Sequence, residues 1–405
     1  MWPTLNHLHP PIAAAMLEYR VARKDAAAEN AQSYGLPGLQ FPWESTQTGA
    51  PADTWQKFGA KGCSCETYEI HIGGDIAQAF WRYWASTGDK HWLCAEGDAG
   101  ARPIDVLRGI ALYYSARVSP DPSITGQYEL LSVTGPDEQA CEVNNSCYVS
   151  SIAALTMLAA KNLSSICGLT APLNWTTIPA SLKVPFNKTG HFHPEFEGYP
   201  YGLQVKQADT IMAFGYPLSE WRAALAPEEV DPVAERNDLV YYDKVTNPDG
   251  PAMTWALFAM GWSDIGEHER ALSLFRRGYA NAQPPFQVWT ESSQGTGCIS
   301  FLTGAGGFLQ SVLNGYLGVR LGAASVTLRP VAAPGSATAL AVRGLHWHGR
   351  RLKLRVDAKG DATVQVLSGA PVLLRSGKSS DVKLAVGDVP HLLHAPVHAL
   401  VLESQ

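Results

Sequence analysis

The chain has 405 residues, enough for a large core and more than one domain. Hydrophobic residues make up 46% and charged residues 17%, with a formal net charge of -6 and a pI near 6.1. No Lys/Arg run and no apolar stretch of eighteen residues stands out, so neither a nucleic-acid partner nor a membrane span is expected.

The opening residues, "MWPTLNHLHPPIAAAMLEYRVARK", lack a basic n-region and a continuous apolar h-region. They do not read as a signal peptide, and a cytoplasmic location is expected. From there to about residue 319 the pattern is helical. "PPIAAAMLEYRVARKDAAAENAQSYG" begins on prolines and stops at Gly35; "HIGGDIAQAFWRYWASTG" and "PIDVLRGIALYYSARV" repeat apolar residues at helical spacing. "CYVSSIAALTMLAAKNLSSI", "KQADTIMAFGYPL", "AMTWALFAMGWSDIG", "HERALSLFRRGYANA" and "GGFLQSVLNGYLGV" continue the series. Paired helices joined by long irregular loops predict a mainly α domain over residues 1–319, of the α/α toroid kind, with the chemistry carried on the loops. After Val319 short runs alternate apolar and polar residues, as in "ALAVRGLHWHGRRLKLRVDA" and "ATVQVLSG". This predicts a small antiparallel β domain over residues 320–405.

Seven cysteines are scattered without a dense framework, and Cys63-Ser-Cys65 has the wrong spacing for a zinc pair. No metal site is expected, and free thiols in a reducing compartment are the simpler reading. The 12 tryptophans and 15 tyrosines suit either a large helical core or a sugar cleft, where pyranose C–H edges pack on rings. Sequons at Asn144, Asn162, Asn174 and Asn187 are no more than a chain of this length yields by chance.

The stretch richest in chemistry is "TGPDEQACEVNNSCYVS", residues 134–150. It sets Asp137 and Glu138 directly after a Gly-Pro turn, with Asn144 and Asn145 just before a helix. By itself this is a loop followed by an Asn N-cap. Other motifs follow in order: "FPWES" (41–45), "EIHIGG" (69–74), "KVPFN" (183–187), "HPEFEGY" (193–199), "VKQAD" (205–209), "GPAMTW" (250–255), "VWTES" (288–292) and "FLTGAGGFLQ" (301–310). In this joint order the chain resembles glycoside hydrolase family 65, the family of acid trehalases and disaccharide phosphorylases.

The resemblance implies an (α/α)6 barrel followed by a small C-terminal β domain. It implies an inverting exo-α-glucosidase without cofactor, acting on an α-linked glucosyl disaccharide or a glycosylated hydroxylysine. Glu138 matches the family's general acid and Glu291 the hydrolases' general base, and an inverting pair stands about 6.5–9.5 Å apart. Asp137 would add a like charge beside the acid. Lys206 and Gln207 would open a helix and bind vicinal sugar hydroxyls; read alone, they fit a helix start with a solvated lysine. Trp43 and Glu44 would form another wall, and Glu69 and His71 would play similar polar roles. A trehalase, or a phosphorylase with phosphate as nucleophile, is the alternative within the family. "DEQA" replaces the family's Asp-Glu-Tyr-His, and the family's Trp-Asp-Thr-Glu segment would fall just before Met1. The expectation is therefore an incomplete toroid of eight or nine helices where twelve close the ring, with weak hydrolysis or a non-catalytic remnant as a further reading.

Overall fold

The computed structural model describes residues 1–52, 57–58, 63–98, 100–375, 381–393 and 398–401, with the backbone alone for residues 57–58, 63–66 and 398. The chain folds into two compact units. One gathers Met1–Ala14, Ala85–Gly88 and Pro248–Gln405; the other gathers Ala15–Trp84 and Asp89–Asn247. The expected change of texture is present, since the last helical turn ends at Tyr316 and the first strand of the β region is Val319–Leu321. The units divide elsewhere, because the β region belongs with the helices that follow Pro248.

In the unit of Ala15–Trp84 and Asp89–Asn247, the helix Cys147–Ile166 is the core. Ser146 caps it by accepting the Val149 N–H at 3.4 Å. Among the described residues it is the one helix long and apolar enough to cross a membrane, yet 67% of that window is buried within the fold. It packs on Pro103–Arg117, and residues such as Ile152, Met157, Ile104 and Leu107 are fully enclosed. Each such side chain contributes roughly 1.5–3 kcal/mol by leaving water.

Cys94 and Cys167 are joined in a disulfide, which corrects the expectation of free thiols; Cys147 and Cys298 are free. The bond spans 73 residues, and closing a loop of that length restricts the unfolded chain. Reduction, or Cys94→Ser, should cost about 2–4 kcal/mol, read as a lower denaturant midpoint in the presence of dithiothreitol. A midpoint indifferent to reductant would mean that the bond does not stabilise the fold. The side chains of Cys63 and Cys65 lie outside the described residues.

Two helical expectations need adjustment, and one helix was not expected at all. The run from Pro10 to Gly35 forms two helices, Pro10–Val21 and Lys24–Ser33. Between them Arg23 leaves the helical region (φ -111°), and its side chain is drawn to the Gln47 carbonyl at 2.6 Å. Residues 206–218 are not one helix. Lys206 and Gln207 lie in a bend, the helix begins only at Thr210, and it ends at Phe214. Pro217, which has no N–H for a helical ladder, precedes a second helix, Leu218–Leu225. The helix Pro232–Val245 was not anticipated, although Asp231 caps it through the N–H groups of Val233 and Ala234.

In the other unit the helices Ala252–Asp264, His268–Gly278 and Leu302–Gln310 pack together. The glycines of "GAGGFLQ" serve this contact: a Cβ on Gly307 would come within 2.9 Å of the Ala256 Cβ. The β region forms two antiparallel sheets. One runs His391–Leu393, Ala362–Ser368, Arg350–Asp357, Ala339–Trp347. The other runs Val382–Leu384, Val372–Arg375, His398–Val401, Ser325–Leu328, Val319–Leu321. Alternate residues such as Leu352, Leu354 and Val356 are buried, as the period of a strand requires.

Candidate active site

The turn after Thr134 is fixed before its carboxylates are placed. The Thr134 N–H donates to the Tyr68 carbonyl at 2.9 Å, and Val133 and Val143 exchange backbone hydrogen bonds at 2.8 Å. This delivers Glu138 to the bend of residues 205–209. Lys206 Nζ donates to Glu138 Oε2 at 2.7 Å, with the two side chains 24% and 14% exposed. The Lys206 N–H reaches Asp137 Oδ2 at 3.3 Å, and the Gln207 side-chain amide donates to the Pro136 carbonyl. Of the residues expected to share a site, Lys206 contacts Glu138 directly, and Gln207 contacts the backbone of the same turn at Pro136. Their contact does not require the expected helix: the irregular backbone at 205–209 lets both a side chain and a main-chain N–H face the acidic turn.

Beneath this pair lie three buried carboxyl groups, Asp137, Glu195 and Asp209. Burial, then the nearby Glu138 charge, pushes Asp137 up to about 6, against the pull of the Gln139 and Lys206 N–H groups. Burial and the charge of Asp137 raise Asp209 to about 8. Glu195 is driven well above the carboxylate range by burial and by the two aspartates. Glu195 and Asp209 were quoted within motifs but given no role. Their burial is a long-range property that no local spacing announces.

His71 starts the helix His71–Thr87. Burial alone would discharge it. Asp75, whose Oδ2 lies 2.8 Å from Nδ1, and Glu69, at 3.6 Å from Nε2, outweigh that and hold it up at about 10. Tyr148 donates to the other Asp75 oxygen at 2.7 Å, and the Tyr148 ring meets His71 edge-on. Glu69 and His71, expected as polar wall residues, lie against each other. Asp75 and Tyr148 were missed, although the four-residue step from His71 to Asp75 on a helix was a usable signal. The His71 charge also reaches Asp209 and partly offsets the anionic cluster.

These shifts have one sign. Asp137, Asp209 and His71 all bind protons more tightly folded than unfolded, so folding takes up protons between pH 3.8 and about 8 at Asp209 and between 6.5 and about 10 at His71. Stability is therefore fullest below those unfolded values and is lost as pH rises through the folded ones. The melting temperature should fall steadily from about pH 5 to about pH 9, and His71→Gln should flatten the upper half of that slope. A melting temperature that climbs over this range would contradict the assignment.

Trp43 and Glu44 sit on the turn before Ser45, whose backbone bridges Pro51. Arg20 Nη1 donates to Ser45 Oγ at 2.7 Å and the Tyr19 hydroxyl to the Thr46 carbonyl at 2.5 Å, fastening this turn to the helix Pro10–Val21. Glu291 belongs to the unit that contains Pro248–Gln405. Its N–H donates to the Cys298 carbonyl at 3.0 Å, and its Oε2 accepts the Cys298 N–H at 3.1 Å. Its own carbonyl accepts the Asn281 side-chain amide at 2.7 Å and the Ala252 N–H at 3.1 Å. The carboxylate is thereby fixed in a tight hairpin on the helix Ala252–Asp264. Among the described residues no group of three His, Cys, Asp or Glu is arranged to hold a metal ion.

Comparison with known proteins gives these residues a setting. The glycosyl hydrolase family 65 central catalytic domain matches residues 1–203. The chain is 37% identical over 396 residues to the protein-glucosylgalactosylhydroxylysine glucosidase of Danio rerio, covering 94% of this chain and 56% of that one. It is 36% identical over 370 residues to the enzyme of the same name from Mus musculus, with coverages of 91% and 50%. A kojibiose hydrolase of Flavobacterium johnsoniae is 34% identical over 326 residues, covering 80% of this chain and 44% of that one. The fold is like that of a solved putative kojibiose phosphorylase from human microbiome, with a TM-score of 0.75 over 98% of this chain and 60% of that chain, at 14% identity. The chain spans about half the length of the curated relatives it matches.

Proposed function

Because this chain belongs to glycosyl hydrolase family 65, we propose that it works as an inverting exo-α-glucosidase, with Glu138 as general acid and Glu291 as general base. The observation that carries the reading is the direct pairing of Glu138 with Lys206, alongside Gln207 on the Pro136 carbonyl. A carboxyl group, an ammonium and an amide are held on one turn there, which supports the reading of an acid beside donors for sugar hydroxyls.

Glu138 in its acid form gives its proton to the glycosidic oxygen as that bond breaks. Glu291 in its ionised form takes a proton from the water that attacks the anomeric carbon from the opposite side, and the product carries inverted configuration. Lys206 and Gln207 orient the glucose being released, and Trp43, Glu44, Glu69 and His71 complete the polar and aromatic walls. The relatives' names direct the substrate proposal to glucosyl-galactosyl-hydroxylysine, with kojibiose and other α-linked glucosyl disaccharides next. A panel of these substrates, with trehalose, assayed with and without inorganic phosphate tests the reading. Release of free β-glucose independent of phosphate is the expected result, and glucose 1-phosphate formed only with phosphate would replace hydrolysis by phosphorolysis.

Cytoplasmic residence stands as a second proposal, and the Cys94–Cys167 disulfide weighs against it, because cytosolic thiols are kept reduced. Thiol trapping of the chain in fractionated cells decides: alkylated Cys94 and Cys167 in the cytosolic fraction would support the cytoplasm.

A further inference from the structure

The Glu138 turn is not held by its own residues alone. Asp209 is 1% exposed, and its Oδ2 receives the Asp137 N–H at 3.5 Å. The same oxygen lies so close to Gly135 that a Cβ there would stand 2.2 Å from it and 3.1 Å from Ser146 Oγ. Asp209 precedes the helix Thr210–Phe214 but does not cap it with its side chain. The carboxylate that could have served its own helix is turned instead onto the backbone of the acidic turn. Asp137 returns the contact, accepting the Lys206 N–H at 3.3 Å, and Lys206 closes the circuit on Glu138 at 2.7 Å.

We propose that Asp209 is a positioning residue, which seats the Gly135–Glu138 backbone so that the Glu138 carboxyl meets the glycosidic oxygen. This inference rests on the reading of Glu138 as general acid. Glu195, also buried, completes the carboxyl cluster around Asp209 and Asp137.

The consequence is selective. Displacing a catalytic group by about an ångström can cost on the order of 100-fold in rate. The loss should fall on substrates whose leaving group needs a proton. Asp209→Ala should lower kcat on the natural disaccharide by about 10- to 100-fold while changing turnover of α-glucosyl fluoride, whose fluoride departs unprotonated, by less than about threefold. Asp209→Asn keeps an acceptor oxygen for the Asp137 N–H and should recover most of the disaccharide rate. Gly135→Ala strikes the same contact from the other side and should reproduce the selective loss. Equal losses on both substrates, no selective loss in either Ala variant, or failure of both to fold would reduce Asp209 to a structural role and overturn the proposal. If Glu138→Gln itself leaves disaccharide turnover unchanged, the general-acid reading has failed instead, whatever Asp209 does.

Discussion

Glu138→Gln should lower turnover of an α-linked glucosyl disaccharide by about 10²–10⁴-fold, the usual contribution of a general acid. Gln retains the shape and the acceptor oxygen but has no proton to deliver. It also dissolves the ion pair with Lys206, so the ammonium is left facing an amide. Two effects can therefore be told apart. Lost protonation appears in kcat and depends on the leaving group, with α-glucosyl fluoride largely spared. Lost electrostatic order around Lys206 appears in KM for every substrate. Glu291→Gln should behave differently, slowing the fluoride as well, because activation of the attacking water is needed whatever leaves. Undiminished disaccharide hydrolysis by Glu138→Gln would end the acid assignment.

The second large effect concerns stability. Arg82, on the helix His71–Thr87, is paired with Glu220 on Leu218–Leu225, and the two side chains are 1% and 2% exposed. The guanidinium also lies over the Tyr216 ring at 5.5 Å and within 3.5 Å of its hydroxyl, while the neighbouring Trp81 and Trp221 rings meet at 6.2 Å. Removing one partner strands a charge where water cannot reach it. Glu220→Gln should therefore cost about 3–5 kcal/mol, visible as a large fall in denaturant midpoint. The paired replacement Arg82→Met with Glu220→Leu should restore much of that, because both desolvation costs vanish together. A single-variant loss below about 1 kcal/mol would show that water or a rearranged neighbour solvates the guanidinium.

What could be read from the residues alone follows the range of the interaction. Helix Pro103–Arg117 and the strand pattern of Arg350–Asp357 are written in local periodicity and were anticipated. Glu138 was assigned through the resemblance, because a Gly-Pro turn with paired acids reads by itself as a loop before an N-cap. Lys206 and Gln207 were expected to open a helix but lie in a bend, where a tertiary contact to Asp137 takes the place of helical geometry. The Cys94–Cys167 pairing could not be deduced from spacing, because connectivity depends on which segments the fold brings together. The proton-binding behaviour of Asp209 and His71 was equally hidden. It arises from burial beside other charges, and neither is a feature of the neighbouring sequence.

The unit built from Met1–Ala14, Ala85–Gly88 and Pro248–Gln405 carries a cost during biosynthesis. The short helix Trp2–Leu8 packs on the strand Ala339–Trp347, and the Ser86 carbonyl accepts the His348 N–H at 2.7 Å. A ribosome adding roughly 5–20 residues per second takes on the order of tens of seconds to travel between those partners. Throughout that interval Thr4, Asn6 and His7, all buried in the finished protein, await the strand that covers their helix. Nascent chains stalled before residue 339 should thus bind a holdase chaperone through this helix and release it once the strand has emerged.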